Sequence, residues 1–138
     1  MVKGAALVSV LLVASSCTTS DNIEIVRTDW MLEAPPNGKA LPVLVQIGGS
    51  SCNSFREVRV TETSSEVAIE AFVNHKTNLR LCSADLRMQR EPVQLAAPLG
   101  DRSLVGCWVS EDEAKALGIE TDCTKRVVPV PPRSAAGA

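Results

Sequence analysis

The chain has 138 residues, 22% of them charged, and a formal net charge of -2 at pH 7. That length holds one domain, the charged fraction is that of ordinary globular material, and 14 basic against 16 acidic side chains is not the balance of a nucleic-acid binder, which needs a basic face. The aromatics are Trp30, Trp108, Phe55 and Phe72, with no Tyr, too few for a platform that stacks bases or sugars.

The first predicted element is an export signal over residues 1–16. Lys3 supplies a positive start, and Ala5 to Ala14 form an apolar run interrupted at Ser9. A helix needs about twenty such residues to cross a bilayer, so a run of about ten is the apolar part of a signal peptide and not a span. Ala14-Ser15-Ser16 before Cys17 resembles the lipobox of bacterial lipoproteins, in which the cysteine is diacylated and becomes the N-terminus. Ala14 stands where that motif usually carries Leu. The same Ala14 and Ser16 also fit an ordinary secretory cleavage site, so simple secretion is the alternative. The resemblance covers residues 1–17 and implies a palmitate-type anchor on Cys17, a tether over residues 17–22 and a place on the cell membrane or outer envelope.

Cysteine parity supports that choice. Of Cys17, Cys52, Cys82, Cys107 and Cys123, assigning Cys17 to a lipid leaves an even set able to form two disulfides outside the cytoplasm. Three pairings are open. Cys52–Cys82 with Cys107–Cys123 is preferred, because each closes a moderate loop without trapping the other. No close pair of the C-x-x-C kind exists, so no metal site is expected.

Residues 23–132 are expected to form one β-rich domain and residues 133–138 a disordered tail. Residues 23–30 make a first strand, Ala34-Pro35-Pro36-Asn37-Gly38 a turn, and residues 41–47 a buried strand. Gly48 to Ser54 is a small-residue loop. Residues 55–63 and 66–73 alternate with the two-residue period of half-buried strands. Folded about Ser64-Ser65, they pair Val60 with Ile69 and Val58 with Ala71 on one face, and Arg59 with Glu70 on the other. A helix over residues 65–74 is the minority reading. Residues 74–78 then form a turn, with the strand pattern resuming through Leu79, Leu81, Leu86 and Met88. Residues 93–95 and 103–109 are further strands. A helix over residues 111–117 is capped by Ser110 with Glu113 three residues on and stopped by Gly118. Pro129 and Pro131 restrict residues 126–132 to an edge strand or an extended tail.

The expected fold is therefore mainly β, a small antiparallel sandwich or partly closed barrel with one short C-terminal helix and two disulfides. Gly49-Ser50-Ser51-Cys52 with the distal Cys82-Ser83-Ala84-Asp85-Leu86 is similar to a pattern in small exported domains of actinobacteria that have no assigned activity. That likeness implies no functional residues.

No catalytic set emerges and no cofactor is expected. His75, the one histidine, falls in the expected turn, where a solvated side chain is the simple reading. Gly48 to Ser51 lack the G-x-S-x-G elbow, and their small side chains let Cys52 reach its partner. Trp108 is expected to pack on a disulfide in the core. Arg80, Arg87 and Arg90 could meet anionic head groups, but Asp85 and Glu91 dilute them and a solvated face is preferred. Glu57, Glu66 and Glu70 read as a salt-bridged exterior. The expected function is a lipid-anchored, non-enzymatic module of the envelope that binds a protein or small ligand. The alternatives are an extracytoplasmic enzyme using Ser50 or Ser51 with His75, and a secreted inhibitor-like module presenting Gly48 to Ser54.

Overall fold

The computed structural model describes residues 22–130; the expected export signal, Cys17 and residues 131–138 lie outside the described residues. The described elements, in chain order, are β1 (Ile23–Thr28), β2 (Trp30–Leu32), β3 (Ala40–Gly48), β4 (Asn53–Glu62), β5 (Glu66–Lys76), β6 (Arg87–Gln94), β7 (Ser103–Gly106) and helix α1 (Glu111–Leu117). They form two sheets facing each other as an open sandwich. One has the order β1-β5-β4, with β7 also on β5; the other has the order β2-β3-β6. The pairings are antiparallel except β5 with β7, which is parallel.

Alternation creates the core. Leu41, Val43, Val45 and Ile47 point inward from β3, and Val67, Ile69, Ala71 and Val73 from β5; all are at most 4% exposed and belong to one apolar cluster. The β4–β5 hairpin has the predicted register: Val60 opposes Ile69, Val58 opposes Ala71, and Arg59 opposes Glu70. Thr63 N donates to Glu66 O across Ser64-Ser65, and Thr63 Oγ1 accepts from the amides of Ser65 and Glu66. The charges nevertheless choose other partners. Glu70 bonds Arg27 of β1 at 2.7 Å, while Arg59 bonds Glu57 at 2.6 Å and lies over the Phe72 ring. A third strand beside β5 supplies a cation that a two-strand reading lacks.

The expected turn at residues 74–78 begins later. β5 continues through His75 and Lys76, because β1 pairs with it on one side and the start of β4 on the other. The expected strand through Leu79 and Leu81 is absent: residues 77–86 are irregular and exposed, and regular pairing resumes only at Arg87. The single strand expected over residues 23–30 is two. The chain crosses between sheets at Asp29, whose carbonyl accepts from Gln46 N. Pro42 and Pro92 oppose each other in the β3–β6 ladder. Pro42 O accepts from Glu33 N, so Pro42 turns its main chain away from β6. Pro92 correspondingly points to the free edge, where a missing N–H breaks no ladder bond and discourages further strand addition.

Residues 107–130 close the side of the sandwich where β7 and β2 end. α1 has its predicted limits: Ser110 Oγ accepts from Glu113 N, and Gly118 takes the left-handed conformation while donating back into the last turn. The extended segment after it meets β7 through the Val105–Val127 bridge. The bridges are Cys52–Cys82 and Cys107–Cys123. Loops of these spans contribute about 2–4 kcal/mol per bridge, and the two disulfides indicate an oxidising, extracytoplasmic environment. Among the described residues, no helix is long and apolar enough to cross a membrane.

The core place expected for Trp108 is taken by Trp30. Trp30 is the core aromatic: 1% exposed, with Nε1 donating to Ile69 O at 3.1 Å and its amide donating to Cys107 O. Trp108 is only half-buried. Gly106 is what admits Trp30, since a Cβ there would lie 2.5 Å from Trp30 Cζ2 and 2.6 Å from Ile69 O. Gly106→Ala should therefore destabilise the fold by about 1–3 kcal/mol through overpacking, lowering the thermal midpoint by roughly 5 °C or more. An unchanged midpoint in calorimetry would show that β7 shifts at no cost.

Candidate functional site

Two places gather polar or apolar side chains in excess of what the core needs. The first joins the Gly49-Ser50-Ser51-Cys52 turn to Cys82-Ser83-Ala84-Asp85. The Cys52–Cys82 bridge draws the segments together, and hydrogen bonds lock them. Ser51 Oγ accepts from Ser83 N at 2.7 Å, Ser83 Oγ accepts from Ser51 N at 3.1 Å, and Asp85 Oδ1 accepts from Ser50 N at 3.0 Å. The two segments of the sequence pattern thus face each other. Gly49 is required there because a Cβ would collide with Ser83 O. Bonds from Ser83 and Ser50 hold the Asp85 carboxyl down at about 2.

This arrangement is a latch. His75, in β5, bonds Asn53 Oδ1 through Nδ1 at 2.7 Å. Among the described residues, no hydrogen bond joins it to Ser50 or Ser51, whose partners are Ser83 and Asp85. The geometry does not bring His75 to either serine as a base. The turn has little of an inhibitor loop's shape: Cys52 is buried, and Cys52 N and Asn53 N both bond back to Gly49 O.

The second place is an apolar groove centred on Trp108. After β7 the chain leaves the sheet at Gly106, and the bridge from Cys107 to Cys123 fixes its direction. Trp108 Nε1 donates to Val127 O at 3.0 Å, pinning the ring against the extended C-terminal segment. One wall is Met31, Leu32 and Pro35; the other is Val128 to Val130. The space between them is about 670 Å³. A second concavity of about 510 Å³ lies across Trp108 beside Ile119, and a third of about 500 Å³ is bounded by Asp29, Ser110 and Glu113. Met31 (49%) and Val127 (61%) are exposed although large and apolar. Isolated exposed aliphatics are ordinary, but several around one half-buried Trp make a recognition surface.

Arg126 builds the floor of this region. Its guanidinium is the buried charged side chain of the core: the residue is 1% exposed and donates to the carbonyls of Glu120 at 2.7 Å, Thr121 at 2.6 Å, and Val109. One cation thus ties the end of α1 and the chain after β7 to the C-terminal segment. Burial pushes the nearby Asp29 carboxyl up, opposed by the charge of Arg126 and reinforced by Glu113. Arg126 follows Lys125 at the head of the apolar segment Val127 to Val130, where a basic residue reads as solvated, so periodicity carried no signal for its burial. Among the described residues, no cluster of His, Cys, Asp and Glu could hold a metal ion.

Comparison with protein-family models, curated proteins and solved structures finds no match. Two outcomes test the roles assigned from geometry. Arg126→Gln should lower stability by roughly 2–4 kcal/mol, since several carbonyls lose a charged donor, in denaturant unfolding under non-reducing conditions; unchanged stability would show the carbonyls re-solvated. Because the folded-state carboxyl of Asp85 is depressed, its stabilising effect is present above the ordinary value of 3.8 and is lost as pH falls from there through about 2. The protection factor of the Ser50 amide, its exchange rate relative to the intrinsic rate at each pH, should fall over that window, and Asp85→Asn should lower it throughout. A protection factor that holds constant across the window would count against the latch.

Proposed function

We propose that the chain is a lipid-anchored cell-envelope protein whose β-sandwich is a non-enzymatic binding module. Its ligand surface is the groove at Trp108, which takes an apolar segment of an envelope protein or a small apolar ligand. The observation that carries this reading is the exposed apolar rim of Met31, Val127 and Val130 around a half-buried Trp held rigid by a hydrogen bond, a disulfide and Arg126. Preorganised aromatic anchors in a fixed apolar setting favour association, because little side-chain entropy is lost on binding.

The anchor is supported by cysteine accounting. Cys52, Cys82, Cys107 and Cys123 are consumed in two bridges, which leaves no described thiol to pair with Cys17. β1 begins at Ile23, and the five residues between it and Cys17 are, on this reading, the tether.

Intact-mass measurement of protein extracted from native membranes should find Cys17 at the N-terminus carrying a diacylglyceryl mass; an N-terminal Cys17 without acyl mass would sink the anchor. Trp108→Ala should retain the fold, because the ring is half-exposed, yet lose the component that co-purifies with the wild type from the same membranes. Recovery of that component at wild-type yield would overturn the groove as the ligand surface.

A further inference from the structure

We infer that the end of the sandwich bearing residues 77–86 is a membrane-docking surface, which seats on the anionic head groups of the bilayer holding the anchor. This inference rests on the anchored reading. It concerns the opposite end of β1 from the acidic first turn of α1, and it is independent of the groove.

Several chain segments converge at this end. β1 starts here, with Ile23 opposite Lys76; β4 starts here, with Asn53 opposite His75; β3 ends and β6 begins here, with Gly48 opposite Arg87. Asn22, the first described residue, accepts from both the amide and the hydroxyl of Thr77. The point where the tether enters the fold is therefore bonded to the first residue of the irregular loop. Five residues separate Cys17 from Ile23. At most ~3.3–3.6 Å per residue, such a tether holds this end within about 20 Å of the acylated cysteine. The end that meets the membrane first is settled by where the chain enters.

The side chains at this end suit that neighbour. Leu81 is 87% exposed and Leu86 62%, and Leu79 and Ile23 also face solvent. No core position explains them. Lys76, Arg80 and Arg87 are exposed among them. Of the carboxylates nearby, Asp85 stays ionised under the bonds from Ser50 and Ser83, and Glu24 stands on β1 opposite His75, so three cations face two anions here. A chain of net charge -2 thus gathers three cations around its most exposed leucines. Aliphatic side chains enter the head-group boundary while basic ones meet anionic lipid, which is how peripheral segments add to a lipid anchor. The latch and the Cys52–Cys82 bridge keep the loop presented, so little ordering entropy is lost on docking. Of the basic run, Arg90 is the member that leaves it, pairing with Glu33 along β6.

The test uses the full acylated chain in excess vesicles of phosphatidylcholine, with or without phosphatidylglycerol, read by hydrogen exchange of residues 77–86. Amides of the loop should exchange about fivefold or more slowly in the anionic vesicles, the factor expected for each basic residue near the surface, and molar salt should abolish the difference. Leu81→Asp with Leu86→Asp should remove the protection without changing the thermal midpoint, since both side chains are exposed. Equal exchange in the two vesicle types, with Cys17 acylated, overturns the docking surface and leaves the anchor standing. Protection of the loop in a chain whose Cys17 carries no acyl mass overturns the anchor and leaves the docking surface standing.

Discussion

Two rows of aliphatic side chains, Leu41 to Ile47 on β3 and Val67 to Val73 on β5, face each other across the sandwich and exclude water almost completely. Everything else hangs from the two strands that carry them. β5 is flanked by β4 on one side and by β1 and β7 on the other, and β3 lies between β2 and β6. A one-residue slip of either central strand would turn its whole apolar row to solvent, so burial locks the register. Trp30 fills the corner where the chain crosses between sheets, and its indole N–H is spent on the β5 carbonyl of Ile69. The crossing, the core and the parallel docking of β7 are therefore one packing problem, with Gly106 as its tightest point.

The crosslinks act where that core does not reach. Residues 77–86 have no ladder, and residues 107–130 have α1 and a single isolated bridge. Each of these segments carries one disulfide and a set of side-chain bonds to main chain: Ser51, Ser83 and Asp85 in the first, Arg126 in the second. A small domain gains stability from such fastenings in proportion to the irregular chain they restrain. The same fastenings make the irregular segments rigid enough to present side chains to a partner. Both proposed surfaces are therefore on fastened coil, and the regular strands between them serve as scaffold.

The parts legible in the sequence were those governed by local periodicity. Val58, Val60, Ile69 and Ala71 alternate with charges, and with Ser64-Ser65 as the turn that pattern contains the hairpin register, because a slip by one residue would oppose Val60 to a charge. Ser110, Glu113 and Gly118 specify α1 because caps act within a single turn. The preferred disulfide pairing is also the one formed. What periodicity could not contain depends on a third element. Arg59 and Glu70 are opposite as read, yet Arg27 from β1 takes the carboxylate. His75 looked like a turn residue because Asn74 and Asn78 surround it, but two neighbouring strands extend β5 past it. Leu79 and Leu81 looked like strand residues, and no strand offers them a partner. Which tryptophan is buried was decided by Gly106, whose missing Cβ is invisible without the chain that approaches it.

Exposed leucines and a buried arginine are the same kind of violation seen from opposite sides. Each places a residue against its ordinary preference: Leu81 loses contact with the core, and Arg126 loses water. For Arg126 the compensation is inside the molecule, in the carbonyls of Val109, Glu120 and Thr121, so the residue is explained by structure alone. For Leu81 and Leu86 no compensation exists within the described fold. An aliphatic side chain kept in water gains nothing from position, and a loop pinned by a disulfide and a carboxylate cannot fold it away. On the proposed reading the compensation lies outside the chain. In the proposed anchored state, the five residues between Cys17 and Ile23 leave the lipid surface as the neighbour always within reach. On the proposed reading that asymmetry separates the two ends of the molecule: one is complete in itself and carries a groove for a visitor, and the other is completed by a lipid surface.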